Sequence, residues 1–322
     1  MKVTLQPSGV VLDVQSGERL LDAASRQGVV CPQSCRNGNC LICSALLIEG
    51  RVRQAGEVRD QGAVLACLAE PEADCVLQWQ GVLAPGQLPV RRLRCQLLEC
   101  TEVGGNVWRL RLLAPAGKLP RYHAGQYLLV EHESGEQIAL SIASAPHKGR
   151  ELELHVLAHE ERPQSLLEQA QRERALWLQL PFGDAHIGEL PDAPLLLIAA
   201  GTGMAQMHSL IEHCLAAGFR HPVHLYWGAR RGEDFYPVEA WAQWQQQPNV
   251  HLHHVVSDEA DWGGRCGLLH EAVVEDFSDL TGVQVYASGS PPMIYGTLDA
   301  LVAVGMDPKQ MHADVFAYAP RK

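Results

Sequence analysis

The residues best placed to do chemistry in this 322-residue chain are its ten cysteines, and their spacing says more than their number. Six of them, Cys31, Cys35, Cys40, Cys43, Cys67 and Cys75, fall in the first 75 residues, while Cys95, Cys100, Cys214 and Cys266 are scattered. The stretch Cys35-Arg36-Asn37-Gly38-Asn39-Cys40-Leu41-Ile42-Cys43 reads C-x4-C-x2-C, and Cys67 follows after a further 23 residues. Two irons need four thiolates, and one tight loop can supply three of them. This is the spacing that holds a [2Fe–2S] cluster, with Cys35, Cys40, Cys43 and Cys67 as ligands. Gly38 suits a loop that must wrap its backbone around a cluster, because it permits φ > 0. Zinc sites usually show two C-x2-C pairs, which are missing here. Cys31 and Cys75 lie outside the spacing and read as small buried residues.

A second chemical signal is Ala200-Gly201-Thr202-Gly203-Met204-Ala205, between an apolar run and a helical segment. Glycines let a backbone approach a pyrophosphate, and a helix N-terminus favours its charge. Further on, Arg230 or Arg231 could meet a 2′-phosphate, although solvated surface arginines look the same. Both NADH and NADPH stay open, with the reading leaning toward NADH.

Composition narrows the classes. A net charge of −11 argues against a nucleic-acid partner, which would call for a basic face. Apolar residues make up 47%, enough for packed cores, and no apolar run is long enough to span a membrane. The first residues hold no apolar stretch of signal-peptide length, so a cytoplasmic protein without a disulfide scaffold is expected.

The elements that must position these groups fall into three zones. Strand-like pieces at 3–5 and 10–14, a helix at 19–27 closed by Gly28, and a strand at 44–48 frame the cysteine loop. Residues 81–92 hold Gly81, Pro85, Gly86 and Pro89 and read as a linker. Strand-like runs then recur at 107–113, 127–131, 152–157 and 175–180, which predicts a small β-barrel. Near residue 190 the style changes. The continuous apolar run 195–200 is followed by a helix to about 217 and by strands at 223–227, 250–256 and 283–287, which predicts a doubly wound α/β domain.

These segments resemble known proteins in the same order. The cysteine loop and Val64-Leu65-Ala66-Cys67 resemble the plant-type ferredoxin domains fused to NAD(P)H reductases. His123-Ala124-Gly125-Gln126-Tyr127, Ser141-Ile142-Ala143-Ser144-Ala145-Pro146 and Leu180-Pro181-Phe182-Gly183-Asp184 resemble flavin-binding segments of the ferredoxin–NADP reductase family. Glu161-Arg162-Pro163-Gln164-Ser165 aligns with its G-G-x-x-S, and Ala287-Ser288-Gly289-Ser290-Pro291-Pro292-Met293 with its C-G-x-P-x-M. The order matches reductase components of bacterial ring-hydroxylating oxygenases and CDP-6-deoxy-glucoseen reductases.

The resemblance implies an α+β ferredoxin (β-grasp) domain at 1–82, an antiparallel β-barrel binding FAD at 91–188, and an NAD(P)-binding α/β domain at 189–322. It implies flavin and nicotinamide contacts at Tyr127, Ser141, Ile142, Ala143, Ser165, Gly201, Thr202, Gly203, Arg230, Gly289 and Pro291, with Ser141, Ser288 and Phe316 beside the reacting rings. The implied activity takes a hydride from NAD(P)H and passes single electrons through the cluster to a protein acceptor docking at the ferredoxin domain. Departures from the pattern are specific. The family's R-x-Y-S becomes Ile138-Ala139-Leu140-Ser141, its glycine pair becomes Arg162 and Pro163, its proline becomes Gln206, and its cysteine becomes Ser288. Loss of one charged hydrogen bond to the flavin phosphate should weaken flavin roughly 10- to 100-fold. Two alternatives follow from these departures: a free-flavin reductase or diaphorase with exchangeable flavin, and a cluster-bearing redox sensor without enzyme activity.

Overall fold

In a computed structural model the strand Lys2–Gln6 hairpins with Val10–Asp13, with Leu5 opposite Val10 and Gly9 at φ +73° in the turn. Lys2–Gln6 also pairs in parallel with Cys75–Gln78, which lies beside Ser44–Glu49 and then Gly62–Leu65. The helix Leu20–Arg26 turns Leu20, Leu21, Ala23 and Ala24 into this core. Its end is set by Gly28, whose φ of +71° is the left-handed turn a side chain resists. Together these elements make one compact unit, Met1–Pro89, and the chain from Val90 makes a second. The structure describes residues 1–321.

The second unit begins with a strand that sequence reading overlooked. Arg91–Gly104 is the longest strand, at 14 residues, so the linker expected at 81–92 ends earlier, before Arg91. The alternation was present: Leu93, Cys95 and Leu97 are buried while Arg92, Arg94 and Gln96 are exposed. Three arginines among the first four residues masked a period-2 pattern that apolar runs would have advertised. Around it lies a six-stranded antiparallel sheet in the order Gln137–Ser141, Tyr127–Glu131, Ala175–Phe182, Arg91–Gly104, Val107–Leu113, Glu151–Leu157. A bridge between Ile142 and Leu154 brings its two outer strands together. The helix Glu161–Glu173 packs Leu166, Leu167 and Ala170 against this core.

A parallel sheet follows. Its central strand, Leu195–Ala200, is buried at every residue but the last, as a strand covered on both faces must be. Val223–Ala229 and then Val250–Val256 lie on one side, and Gln284–Ser288 lies on the other. The strand order therefore reverses between the ends of Leu195–Ala200 and Gln284–Ser288. That is where a doubly wound sheet opens a crevice for a ligand. Among the described residues, no helix is long and apolar enough to cross a membrane.

Candidate active site and cofactor sites

The loop from Cys35 to Cys43 points backbone N–H groups at sulfur. Cys40 N–H donates to Cys35 Sγ at 3.3 Å. Backbone donors from Asn37 and then Cys40 hold the Cys35 thiol down at about 6, as a thiolate ligand requires. Cys43 Sγ and Cys67 Sγ sit 3.3 Å apart. Among the described residues no three His, Cys, Asp or Glu side chains form a single-ion site. A two-iron centre asks for something else: two pairs of thiolates, one pair per iron. Soft sulfur donors, paired and flanked by N–H groups, fit a [2Fe–2S] cluster. Gly38 sits at φ +87°, a backbone conformation that strains any residue with a side chain, and a Cβ there would also push on Leu68 Cδ1 at 2.7 Å. Cys31 and Cys75 are buried, and burial pushes the Cys31 thiol up to about 12.

In the second unit the crevice is a cleft of about 860 Å³ lined by Gly201, Thr202, Arg230, Asp258, Tyr236 and Met293, among others. The Gly201 backbone sits at φ +53°. Gly203 permits a close approach, since a Cβ there would lie 2.5 Å from Ser288 O. Arg230 Nε is 2.9 Å from Asp258 Oδ2, and Arg231 faces Glu233 at 3.8 Å. With Asp234 also present, three carboxylates and two guanidiniums line this part of the cleft.

A smaller cleft of about 400 Å³ adjoins it and shares Ala200 and Thr202. It brings together Leu140, Ser141, Gly203, Ser288 and Gly289, residues from both sheets. Hydroxyls beside an apolar wall fit the edge of a flavin ring facing a nicotinamide. Nearby, Tyr127 stacks on Phe182 at 5.8 Å, and Gly183 leaves room that a Cβ would fill, 2.9 Å from Tyr127 Cδ1. Asp314 Oδ1 accepts from the backbone N–H of Asp184 and Ala185, tying the C-terminal segment to this wall.

Other expected residues stand elsewhere. Phe316 packs on Tyr295 and is not among the residues of the smaller cleft. Ile142 and Ala143 are fully buried, and their N–H groups donate to Gln126 O and Glu153 O. Ser165 lies inside the helix Glu161–Glu173, bonded to His132 Nε2, whereas the N-cap is Glu160. Pro163 fits there because the first helical turn needs no N–H donor from it. Pro291 opens the helix Pro291–Ala303. The phosphate side of a flavin gains no cation from Ile138. Arg162 is close to that strand, bonded to Gln137 O and paired with Glu136. Gln206 replaces the family proline with a clamp: its buried amide donates to Gly125 O at 2.8 Å and Ala185 O at 2.9 Å.

Sequence reading missed a polar network beside the smaller cleft. His155 Nε2 is 3.0 Å from Glu153 Oε1, and its Nδ1 is 2.9 Å from Tyr236 Oη. His208 Nδ1 donates to Ala143 O at 2.8 Å. Burial raises Glu153, but His155, then His208 and Arg109, outweigh it and hold the carboxyl below its ordinary range. The single cue was Glu153-Leu154-His155, which places a carboxylate and an imidazole two apart on one strand.

Comparison with known proteins agrees with this geometry. Residues 3–72 match the 2Fe-2S iron-sulfur cluster binding domain, and residues 197–299 match the oxidoreductase NAD-binding domain. The CDP-6-deoxy-L-threo-D-glycero-4-hexulose-3-dehydrase reductase of Yersinia pseudotuberculosis is 30% identical over 329 residues, covering 98% of each chain. The chain belongs to this family of iron–sulfur NAD(P)H reductases. Like its relatives, the reductase is an NAD(P)H-dependent oxidoreductase that moves electrons from NAD(P)H through FAD to a [2Fe–2S] cluster. A solved cytochrome P450 reductase from Amycolatopsis superposes with a TM-score of 0.68 at 27% identity, covering 98% of both chains. An NAD(P)H-flavin reductase of Vibrio harveyi is 36% identical over 207 residues, covering 61% of this reductase and 86% of that protein.

Proposed function

We propose that this reductase supplies single electrons to a separate protein, an oxygenase or a deoxysugar dehydrase, docking on the Met1–Pro89 unit. The observation that carries the reading is the shared wall of the two clefts. Ala200 and Thr202 belong to both, so a dinucleotide in the larger one can reach the smaller one. In this reading 1–82 is a β-grasp ferredoxin domain, 91–188 a closed flavin barrel and 189–322 a doubly wound nicotinamide domain. FAD, when bound, would supply the chemistry that turns a two-electron hydride into single electrons.

The chain's own residues do the positioning. Gly201 and Gly203 admit the pyrophosphate and let Ser288 approach the ring, while Ser141 and Ser288 offer hydroxyls on the two sides of the smaller cleft. Cys35 with Cys40 and Cys43 with Cys67 would each hold one iron. Asp258 occupies Arg230 at 2.9 Å, which favours a ribose hydroxyl over a 2′-phosphate and hence NADH over NADPH. Asp258→Ala should improve kcat/KM for NADPH relative to NADH about tenfold; an unchanged ratio would remove Asp258 from cofactor choice.

A second reading has its own support. The segment most similar to the Vibrio harveyi flavin reductase spans 207 residues, and Ile138 brings no cation to the flavin phosphate. We infer exchangeable flavin. Desalting should strip much of it, and added FAD should restore NADH oxidation. Full retention of flavin through the column would eliminate this reading.

A further inference from the structure

Hydride chemistry coupled to a cluster leaves a proton behind. The balance is NAD(P)H plus two oxidised clusters giving NAD(P)⁺, two reduced clusters and one H⁺. Each hydride carries two electrons and one proton, and the cluster takes only the electrons. One proton per turnover must therefore leave the cofactor cleft. The argument rests on the electron-transfer reading above.

The structure offers a route. His155, on the strand Glu151–Leu157, lines the smaller cleft with Ser141 and Ser288, and it also lines a second cavity of about 370 Å³. Among the described residues it is the one side chain common to both. Tyr236 in turn lines both the larger cleft and that second cavity. The cavity's rim carries Lys148, Glu151 and Glu239, which are 48%, 49% and 80% exposed, so it meets solvent. Both ring nitrogens of His155 are engaged in hydrogen bonds, at 2.9 Å to Tyr236 Oη and 3.0 Å to Glu153 Oε1.

We propose that Tyr236, His155 and Glu153 form a proton-exit chain from the cofactor cleft to the second cavity. Tyr236 Oη gives its proton to His155 Nδ1 and is reprotonated from the cleft. His155 Nε2 gives its proton to Glu153 Oε1, which releases it to water in the cavity. Burial raises Tyr236, so the hydroxyl stays a donor between transfers. The other groups facing His155 frame the same task. From the helix Met204–Ala216, His208 packs edge-on at 6.2 Å between ring centres, and Glu212 lies beyond it. Burial, and then His155, lower His208, whose Nδ1 donates to Ala143 O. From the strand Val107–Leu113, Arg109 adds a fixed positive charge that favours the Glu153 carboxylate. Positioned acid–base groups are typically worth about 10²–10⁴ in rate.

The test separates the proton from the electrons. The holoprotein, held anaerobically in weak buffer with a pH-indicator dye, receives one equivalent of NADH and then excess ferricyanide. The wild type should release one proton in step with ferricyanide reduction. In His155→Gln and Tyr236→Phe, the release and the reoxidation that follow flavin bleaching should slow by at least about tenfold, with imidazole accelerating His155→Ala. Release at the wild-type rate in both His155→Gln and Tyr236→Phe would overturn the chain. A second readout uses cofactor-free protein. The imidazole ¹⁵N resonances that disappear in His155→Gln should shift in Tyr236→Phe and in Glu153→Gln, one ring nitrogen answering to each partner. Resonances that move in neither variant would also overturn the chain. Thermal melts check folding, and Tyr236→Phe, which keeps the ring, carries the kinetic test if His155→Gln does not fold. Failure of NADH to bleach any band would contradict the electron-transfer reading instead, and the resonance experiment would still decide the proton chain.

Discussion

The two units divide their chemistry by element. Met1–Pro89 holds six of the ten cysteines and no histidine, whereas the chain from Val90 holds all fifteen histidines. Sulfur in the first unit is organised by backbone: N–H groups aimed at Cys35, and Cys43 against Cys67. Imidazole in the second unit is organised by burial. Desolvation lowers His186, His208, His213, His253, His254 and His312, and it takes His224, with help from His251 and His253, down to about 4. Single electrons need no proton acceptor, and hydride chemistry does. The distribution follows that split.

The comparison breaks most easily at sulfur. Cys35→Ser, or serine at Cys40, Cys43 or Cys67, should abolish the cluster's visible absorbance and its bound iron while the flavin spectrum remains. Cys75→Ser, buried but outside the pairs, should keep its iron; equal iron loss in both would dissolve the ligand assignment. Next in size is Gly203→Ala, whose new Cβ would press on Ser288 O. Overpacking of this kind costs about 1–3 kcal/mol, and the KM for NADH should rise at least several-fold in steady-state assays. Ile138→Arg should act in the opposite sense. It should tighten flavin roughly 10- to 100-fold, read as the flavin dissociation constant by fluorescence.

Acid should separate the units more gently. A histidine whose folded pKa lies below its unfolded value stabilises the fold above the unfolded pKa, and that contribution is lost as pH falls through the folded one. For His224 the window runs from the ordinary value of 6.5 down to about 4. Tryptophan fluorescence, which reports mainly on the second unit, should show its thermal midpoint falling across this window. Far less change is expected in the first unit, which has no imidazole to protonate. A parallel fall in both would mean that carboxylates, not imidazoles, set the acid response.

How much of this was legible in the sequence differs between the units as well. The iron–sulfur domain could be read because four cysteines in one spacing admit few other chemistries. The central parallel strand, Leu195–Ala200, could be read because burial on both faces writes it as an unbroken apolar run. Arg91–Gly104 stayed hidden because its exposed face is so rich in arginine. The start of the helix Glu161–Glu173, four residues before Ser165, was hard to place because Glu160 offers no side-chain cap and Pro163 falls inside the first turn. The Glu153–His155–Tyr236 network was invisible for a different reason. Tyr236 lies 81 residues from His155 along the chain, and only the packing of the two sheets brings them together.

The central claim is that one chain carries electrons from NAD(P)H through flavin to the cluster. The most direct test is an anaerobic absorbance titration of freshly purified, flavin-replete protein with one equivalent of NADH. The account predicts that the flavin and [2Fe–2S] bands both bleach. Bleaching of flavin alone, with the cluster bands unmoved, would contradict it.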